Sequence, residues 1–164
     1  MRWVYVLPLV LSLAIFVMSS NVVGDNVNVT ANVAGYITVT FNYDAVSFGS
    51  VSAGSTGNAA PGNSNGAYNV TVDANDEYKV EAYGTDFSDG THTFSISNLK
   101  MDTDSDYTNL ALANAVALST SSQIIETNIP YTVTTHYHGF WLDVPSGQPA
   151  GSYSSTVTIT YSLV

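Results

Sequence analysis

Apolar and polar residues alternate from Asn26 to Asn42. Val27, Val29, Ala31, Val33, Gly35, Ile37, Val39 and Phe41 share one parity, while Asn26, Asn28, Thr30, Asn32, Thr38, Thr40 and Asn42 share the other. Side chains of a strand point alternately to its two faces, so the pattern predicts a strand with one dry and one wet face. A strand of this length is about three times the usual one, and Gly35 marks the expected break into two strands of one apolar phase. An apolar strand near an N-terminus is an aggregation hazard unless a sheet takes it up, either its own or a neighbour's.

Most of the remaining chain also reads as strand. Val46 to Val51 is a candidate, followed by a Gly/Ser/Asn-rich loop from Ser52 to Gly66. Ala67 to Asp73 alternates through Tyr68, Val70 and Val72. With a turn at Ala74-Asn75-Asp76, it predicts a hairpin with Tyr78 to Tyr83. Thr93 to Leu99, Pro130 to Thr135, Phe140 to Val144 and Tyr153 to Leu163 complete the strands; Asn109 to Leu118 alone has helical propensity. Many short strands with turn signals between them predict an all-β chain, an antiparallel β-sandwich of jelly-roll-like type.

The residues ahead of this pattern change its setting. An apolar run from Trp3 to Met18 follows Arg2 and leads into Val22-Val23-Gly24, the layout of a secretory signal peptide spanning residues 1–24. The expected mature chain, 25–164, is one domain's worth, with 25–34 as a strand available for donation. Cysteine is absent, so no disulfide supports the exported domain.

Charge narrows the partners. All thirteen acidic residues lie from Asp25 onward against Lys79 and Lys100, leaving eleven net negative charges on the mature chain. Such a surface repels nucleic acid and anionic lipid and attracts cations. Charged residues make up only 10% of the sequence, well under the usual quarter, so few lysines or glutamates guard strand edges.

Candidate chemistry is sparse. Asp102, Asp104 and Asp106 alternate in Met-Asp-Thr-Asp-Ser-Asp-Tyr, a spacing that can bring hard oxygen ligands onto calcium. Tyr107 stands where an EF-hand needs glycine and Ala113 where it needs glutamate, so the alternatives are an irregular calcium loop or solvated loop charge. Asp86 and Asp89 are weaker candidates of the same kind. His136 and His138 would share a strand face, as a transition-metal chelate needs, but His92 is the only other histidine. An exposed strand end beside Tyr137, Phe140 and Trp141 is the expectation for that pair. No cysteine offers a nucleophile, and the string Gly62-Asn63-Ser64-Asn65-Gly66 lies in the Gly/Ser/Asn-rich loop and not at a strand-to-helix elbow, so no enzyme is expected. Asn28-Val-Thr and Asn69-Val-Thr are acceptor sequons for N-linked sugar, expected to face solvent.

These features together resemble a family. The signal peptide, the segment Asn-Val-Thr-Ala-Asn-Val-Ala-Gly-Tyr-Ile-Thr-Val-Thr, the segment Val-Ser-Phe-Gly-Ser-Val-Ser-Ala-Gly and the terminal Gly-Ser-Tyr-Ser-Ser-Thr-Val-Thr-Ile-Thr-Tyr resemble secreted β-sandwich proteins of prokaryotic surfaces. The likeness is to the fibre-forming group of bacterial TasA and camelysin, archaeal bundling pili and calcium-dependent archaeal cannula subunits. That resemblance implies an extracellular filament or pilus-like fibre built by donor-strand complementation, with Val27, Val29, Ala31 and Val33 inserted into the next subunit. It also implies calcium, which would suit Asp102, Asp104 and Asp106. The expected partner is a second copy of the chain, in a head-to-tail homopolymer. The alternative is a monomeric cell-surface adhesin or carbohydrate-binding module, using Tyr137, Phe140 and Trp141 as a platform for surface glycans.

Overall fold

Strands carry the fold because apolar residues at alternate positions find two sheets to close between. The computed structural model describes residues 30–164. The signal-peptide reading of residues 1–24, together with Val27, Asn28 and Val29, lies outside them. Eleven strands follow in order: β1 (Ile37–Phe41), β2 (Asn58–Ala59), β3 (Asn69–Ala74), β4 (Tyr78–Gly84), β5 (Phe87–Ser88), β6 (Thr93–Phe94), β7 (Leu99–Asp104), β8 (Val116–Ala117), β9 (Gln123–Ile129), β10 (Thr135–Leu142) and β11 (Val157–Leu163). The larger sheet runs β1-β3-β10-β7-β8, with β2 on β10; the smaller runs β11-β4-β9; β5 and β6 pair separately. Every pairing is antiparallel. The chain is an all-β antiparallel β-sandwich.

β3 and β4 show how the layers form. In β3, Val70, Val72 and Ala74 are buried while Thr71 and Asp73 face solvent; in β4, Tyr78, Val80, Ala82 and Gly84 are buried. The two are not the hairpin that the sequence predicts. β3 pairs with β1 and β10, and β4 pairs with β11 and β9, so the turn between them crosses from one sheet to the other. The reason is their shared apolar phase: facing each other across the core buries both sets, with roughly 1.5–3 kcal/mol available per large side chain.

Further expectations change: Pro130 to Thr135 holds a turn and only Thr135 enters β10, and Thr93 to Leu99 is cut by a 3₁₀ turn at Ile96–Asn98. Val46 to Val51 forms no strand, because no neighbour pairs with it. Asn109 to Leu118 is not a helix; a 3₁₀ turn at Tyr107–Asn109 leads through turns into β8, where Val116 pairs with Met101 and Leu118 is drawn into the core. Burial outweighs the Ala/Leu propensity there.

The long N-terminal alternation breaks near Gly35, but the expected first strand is absent from Thr30–Val33; residues 26–29 lie outside the described ones. β1 begins at Ile37 and pairs along its whole length with β3, from Ile37 opposite Ala74 to Phe41 opposite Val70. A Cβ on Gly35 would stand 2.7 Å from Leu163 Cδ1, so a larger residue there would have to push the end of that side chain aside.

The interior holds two clusters along the strand axis. One, near the β3–β4 turn, is built on Val70, Val72, Tyr78, Val80, Ile129 and Tyr161. The other, toward the C-terminal end of β10, is built on Phe94, Ile96, Leu99, Met101, Phe140 and Leu142. Tyr43, Ile125 and Ile159 pack against both. Among the described residues, no helix is long and apolar enough to cross a membrane.

Candidate assembly surface and the buried histidine pair

The chain enters the sandwich at a fixed point. Tyr36 N–H donates to Asn75 Oδ1 at 2.7 Å, Asn75 Nδ2 donates to the Ala34 carbonyl at 2.9 Å, and Asn75 N–H donates to the Tyr36 carbonyl at 3.3 Å. One asparagine side chain thus pins Ala34 and Tyr36 to the β3–β4 turn. Before that point, Thr30–Val33 belong to no regular element, and Val33 is 83% exposed. Of the four expected donor residues, Ala31 and Val33 are thus exposed to solvent, while Val27 and Val29 lie outside the described residues.

A groove of about 790 Å³ opens elsewhere on the sandwich. One wall is Asp44–Val51 and the other is Gln148–Ser155; Phe94, Leu99, Phe140 and Leu142 form the floor. Val46, Phe48 and Val51 are only partly buried against the core. Among the described residues, the main chain of Asp44–Val51 makes no hydrogen bond to another segment; Gly49 N–H reaches Ser47 Oγ within it.

The three aspartates stand on β7 and the turn after it. Asp102 is buried and Oδ2 accepts from Ala111 N–H at 2.9 Å; burial pushes its carboxyl up, against N–H donors that favour the charge. Asp104 Oδ1 accepts from Asp106 N–H at 2.8 Å and from Asn109 Nδ2 at 3.3 Å. Asp106 Oδ1 caps the 3₁₀ turn, accepting from Thr108 N–H at 2.9 Å and Thr108 Oγ1 at 2.8 Å, and these bonds hold its carboxyl below the usual range. Among the described residues, no three His, Asp or Glu side chains are grouped to hold a metal ion.

His136 and His138 share a face, as alternation requires, but they are not an exposed strand end: each is 1% exposed. They continue the buried parity of Phe140 and Leu142 on β10. His138 sits between two phenols, with Tyr43 Oη at Nδ1 and Tyr161 Oη 2.7 Å from Nε2. Thr103 Oγ1 lies 3.1 Å from His136 Nδ1. The Glu126 carboxylate, on the facing sheet, stands 3.8 Å from the same nitrogen, too far for a hydrogen bond. Among the described residues, His136 Nε2 and Glu126 Oε2 have no hydrogen-bond partner.

Burial sets the protonation of this seam. It pushes His136 down to about 4, with Asp104 pulling weakly the other way, and His138 down to about 3, reinforced by His136. It pushes Glu126 up to about 7, helped by Asp104 and Asp102. The Tyr78 phenol rises to about 12, and those of Tyr43 and Tyr161 rise further. Near pH 5.5 both imidazoles are neutral and Glu126 is largely protonated, so the seam avoids buried charge.

Two other expected surfaces are altered by packing. Phe140 and Trp141 are buried, and Phe140 lies on the opposite face from Tyr137, so the three form no shared exposed platform. Asn69 is half-buried and its amide is engaged: Nδ2 donates to the Gly66 carbonyl at 2.9 Å and Oδ1 accepts from Asn42 Nδ2 at 2.6 Å. The Asp89 carboxylate serves its own turn, accepting from Thr91 and His92 N–H groups, which hold it down at about 2.

No protein-family model and no curated protein matches this chain.

Proposed function

We propose that this chain is a secreted structural protein, the subunit of an extracellular filament built by donor-strand complementation. The observation that carries the reading is an apolar alternation that outruns its own sheet. Ile37 and Val39 are half-buried inside β1 and Phe41 at its end is 40% exposed, whereas Val33, on the same parity, is 83% exposed. Exposed apolar residues in strand phase gain main-chain hydrogen bonds and burial when they add to another sheet. Val27, Val29, Ala31 and Val33 are the inserted side chains. The larger ones contribute about 1–3 kcal/mol each when buried. A head-to-tail contact of this kind propagates instead of closing.

Secretion, the jelly-roll-like form of the sandwich, and calcium in the Asp102–Asp106 loop belong to the same proposal. A cation there would oppose the mutual repulsion of acidic protomers. Removing residues 25–33 from the mature chain tests the reading. The truncated protein is expected to remain a soluble monomer by light scattering while the mature chain forms filaments under negative stain. Filaments from the truncated protein would refute the donor role.

A further inference from the structure

We propose that β11 is a docking edge for a second copy of this chain, the two β11 strands pairing antiparallel across a two-fold axis at Thr160. The contact is separate from the donor strand and does not depend on it.

Hydrogen bonding leaves one side of β11 open. The strand pairs with β4 without a bulge, from Val157 opposite Gly84 to Leu163 opposite Tyr78. Just beyond its ends, Thr85 N–H donates to the Thr156 carbonyl at 3.0 Å and Val164 N–H donates to the Glu77 carbonyl at 3.0 Å. Bonded and non-bonded residues alternate in an antiparallel ladder, so the even-numbered residues turn their main chain toward β4. Val157, Ile159, Tyr161 and Leu163 turn theirs outward, where no described segment bonds them.

The two edges of this sheet are built differently. β9, the opposite edge, shifts register twice against β4 and holds Asn128 in a left-handed backbone at φ 56°. Such irregularity blunts an edge against an added strand. β11 has no bulge, proline, lysine or acidic residue. On its core-facing parity, Val157, Ile159 and Leu163 are only half-buried.

Charge and symmetry select the occupant. The mature chain carries eleven net negative charges, yet residues 144–164 contain no charged side chain. On the neighbouring β4, Lys79 and Glu81 are bonded to each other at 2.9 Å. A basic partner finds no acidic residue to hold on this edge, whereas acidic copies meet there without opposing like charges. Centring the pair on Thr160 sets Val157 opposite Leu163 and Ile159 opposite Tyr161 of the other copy. All residues of β11 then pair, apolar with apolar, and those with outward main chains fall opposite one another. Four N–H groups on each copy find carbonyls, eight bonds in all. A single ladder buries less than the roughly 1,200 Å² of a lasting complex, so the contact is brief in dilute solution and a disulfide traps it.

The two-fold axis supplies the test. The chain has no cysteine, so introduced thiols report a single contact. Thr160 is exposed and faces its own counterpart as a non-bonded pair, with Cα atoms about 4.5 Å apart and within disulfide reach. Thr158 faces Ser162 and stands about 13 Å from its own counterpart. Under mild oxidation, mature Thr160→Cys is expected to give a disulfide dimer roughly tenfold or more above Thr158→Cys. Mixing Thr158→Cys with Ser162→Cys should recover the dimer. Adding Thr160→Glu to both members of that mixture should lower the yield severalfold, and Thr160→Glu on one with Thr160→Lys on the other should restore it. Deleting residues 25–33 should leave the Thr160→Cys dimer in place. Equal yields from Thr160→Cys and Thr158→Cys would overturn the pairing. Loss of the dimer on that deletion would also overturn it, by showing that the N-terminal segment makes the contact. Filaments under negative stain without the Thr160→Cys dimer would overturn the edge contact and leave the filament reading standing; the dimer without filaments would do the reverse.

Discussion

Replacing His136 by glutamine should flatten the acid limb of the domain's stability. His136 is held near 4 in the folded protein, against about 6.5 when unfolded. Its folded value is depressed, so the unfolded chain takes up a proton that the folded one refuses. The neutral-histidine contribution is fully present above pH 6.5 and is lost as the pH falls through 4. At pH 4.5, two units below the unfolded value, the loss is on the order of 2–3 kcal/mol. His138, held near 3, adds a loss of similar size. About 5 kcal/mol is comparable with the whole stability of many domains.

Glu126 acts in the opposite direction. Its folded value is raised to about 7, so its contribution is full below about 4.5 and is lost as the pH rises through 7. The two signs place the seam's optimum in mildly acidic solution. Guanidinium unfolding of wild type and His136→Gln at pH 7.5, 6, 5 and 4.5 isolates the histidine, because the remaining acids titrate in both. Glutamine can still accept from Thr103, whose hydroxyl lies 3.1 Å from the imidazole. The variant should lose about 2–3 kcal/mol less than wild type between pH 7.5 and 4.5. Parallel curves would refute the reasoning, showing that His136 takes up its proton without unfolding.

Other outcomes follow from local geometry. Glu126→Gln should remove the alkaline loss and raise the unfolding midpoint at pH 8 relative to pH 5.5, read by the same titration. Gly139→Ala would place a Cβ 2.5 Å from the Trp141 ring, so a loss of about 1–3 kcal/mol is expected. Trp141 emission, the only tryptophan signal after residues 1–24 are removed, should shift red. Asp106→Ala removes the cap on Thr108 and should cost about 1 kcal/mol by thermal unfolding. Asn69 should stay unmodified in the folded protein from a glycosylating host, by intact mass, because its amide is already bonded to Gly66.

Where one face is buried and the other wet, the strands were legible. β3, β4 and β11 keep a period of two because only one side of each meets the core. β9 was missed because its ladder shifts register twice against β4 and Asn128 takes a left-handed backbone, so no clean alternation survives in Gln123–Ile129. β7 was missed because Asp102 is buried alongside Met101 and Thr103, and a carboxylate on a buried strand hides the pattern. Val46–Val51 shows the converse: apolar spacing without a partner makes no strand. The histidine pair was half legible. Its shared face followed from spacing alone, but its burial was written in the parity of Phe140 and Leu142, which polar neighbours obscured. The groove could not be read, since its two walls come from segments a hundred residues apart in the chain.

Cations can assist an assembly of acidic copies in two ways, and the difference is measurable. Screening depends only on ionic strength, with a Debye length near 10 Å at 0.1 M, and if the proposed filament forms, the eleven net negative charges of the 25–164 chain should make its assembly faster in salt whatever the cation. Ligation depends on the ion, since calcium gathers several oxygens that sodium does not hold. Asp102, Asp104 and Asp106 already support their own turn, so an ion there would draw on Asp106 at the expense of its Thr108 cap. If the loop binds calcium, calcium chloride should speed filament growth beyond sodium chloride at matched ionic strength, and Asp104→Asn should abolish the excess while leaving the sodium response intact. Light scattering that shows the two salts coinciding for wild type would remove calcium from the proposal and leave screening as the sole effect, with the proposed donor-strand contact untouched by that result.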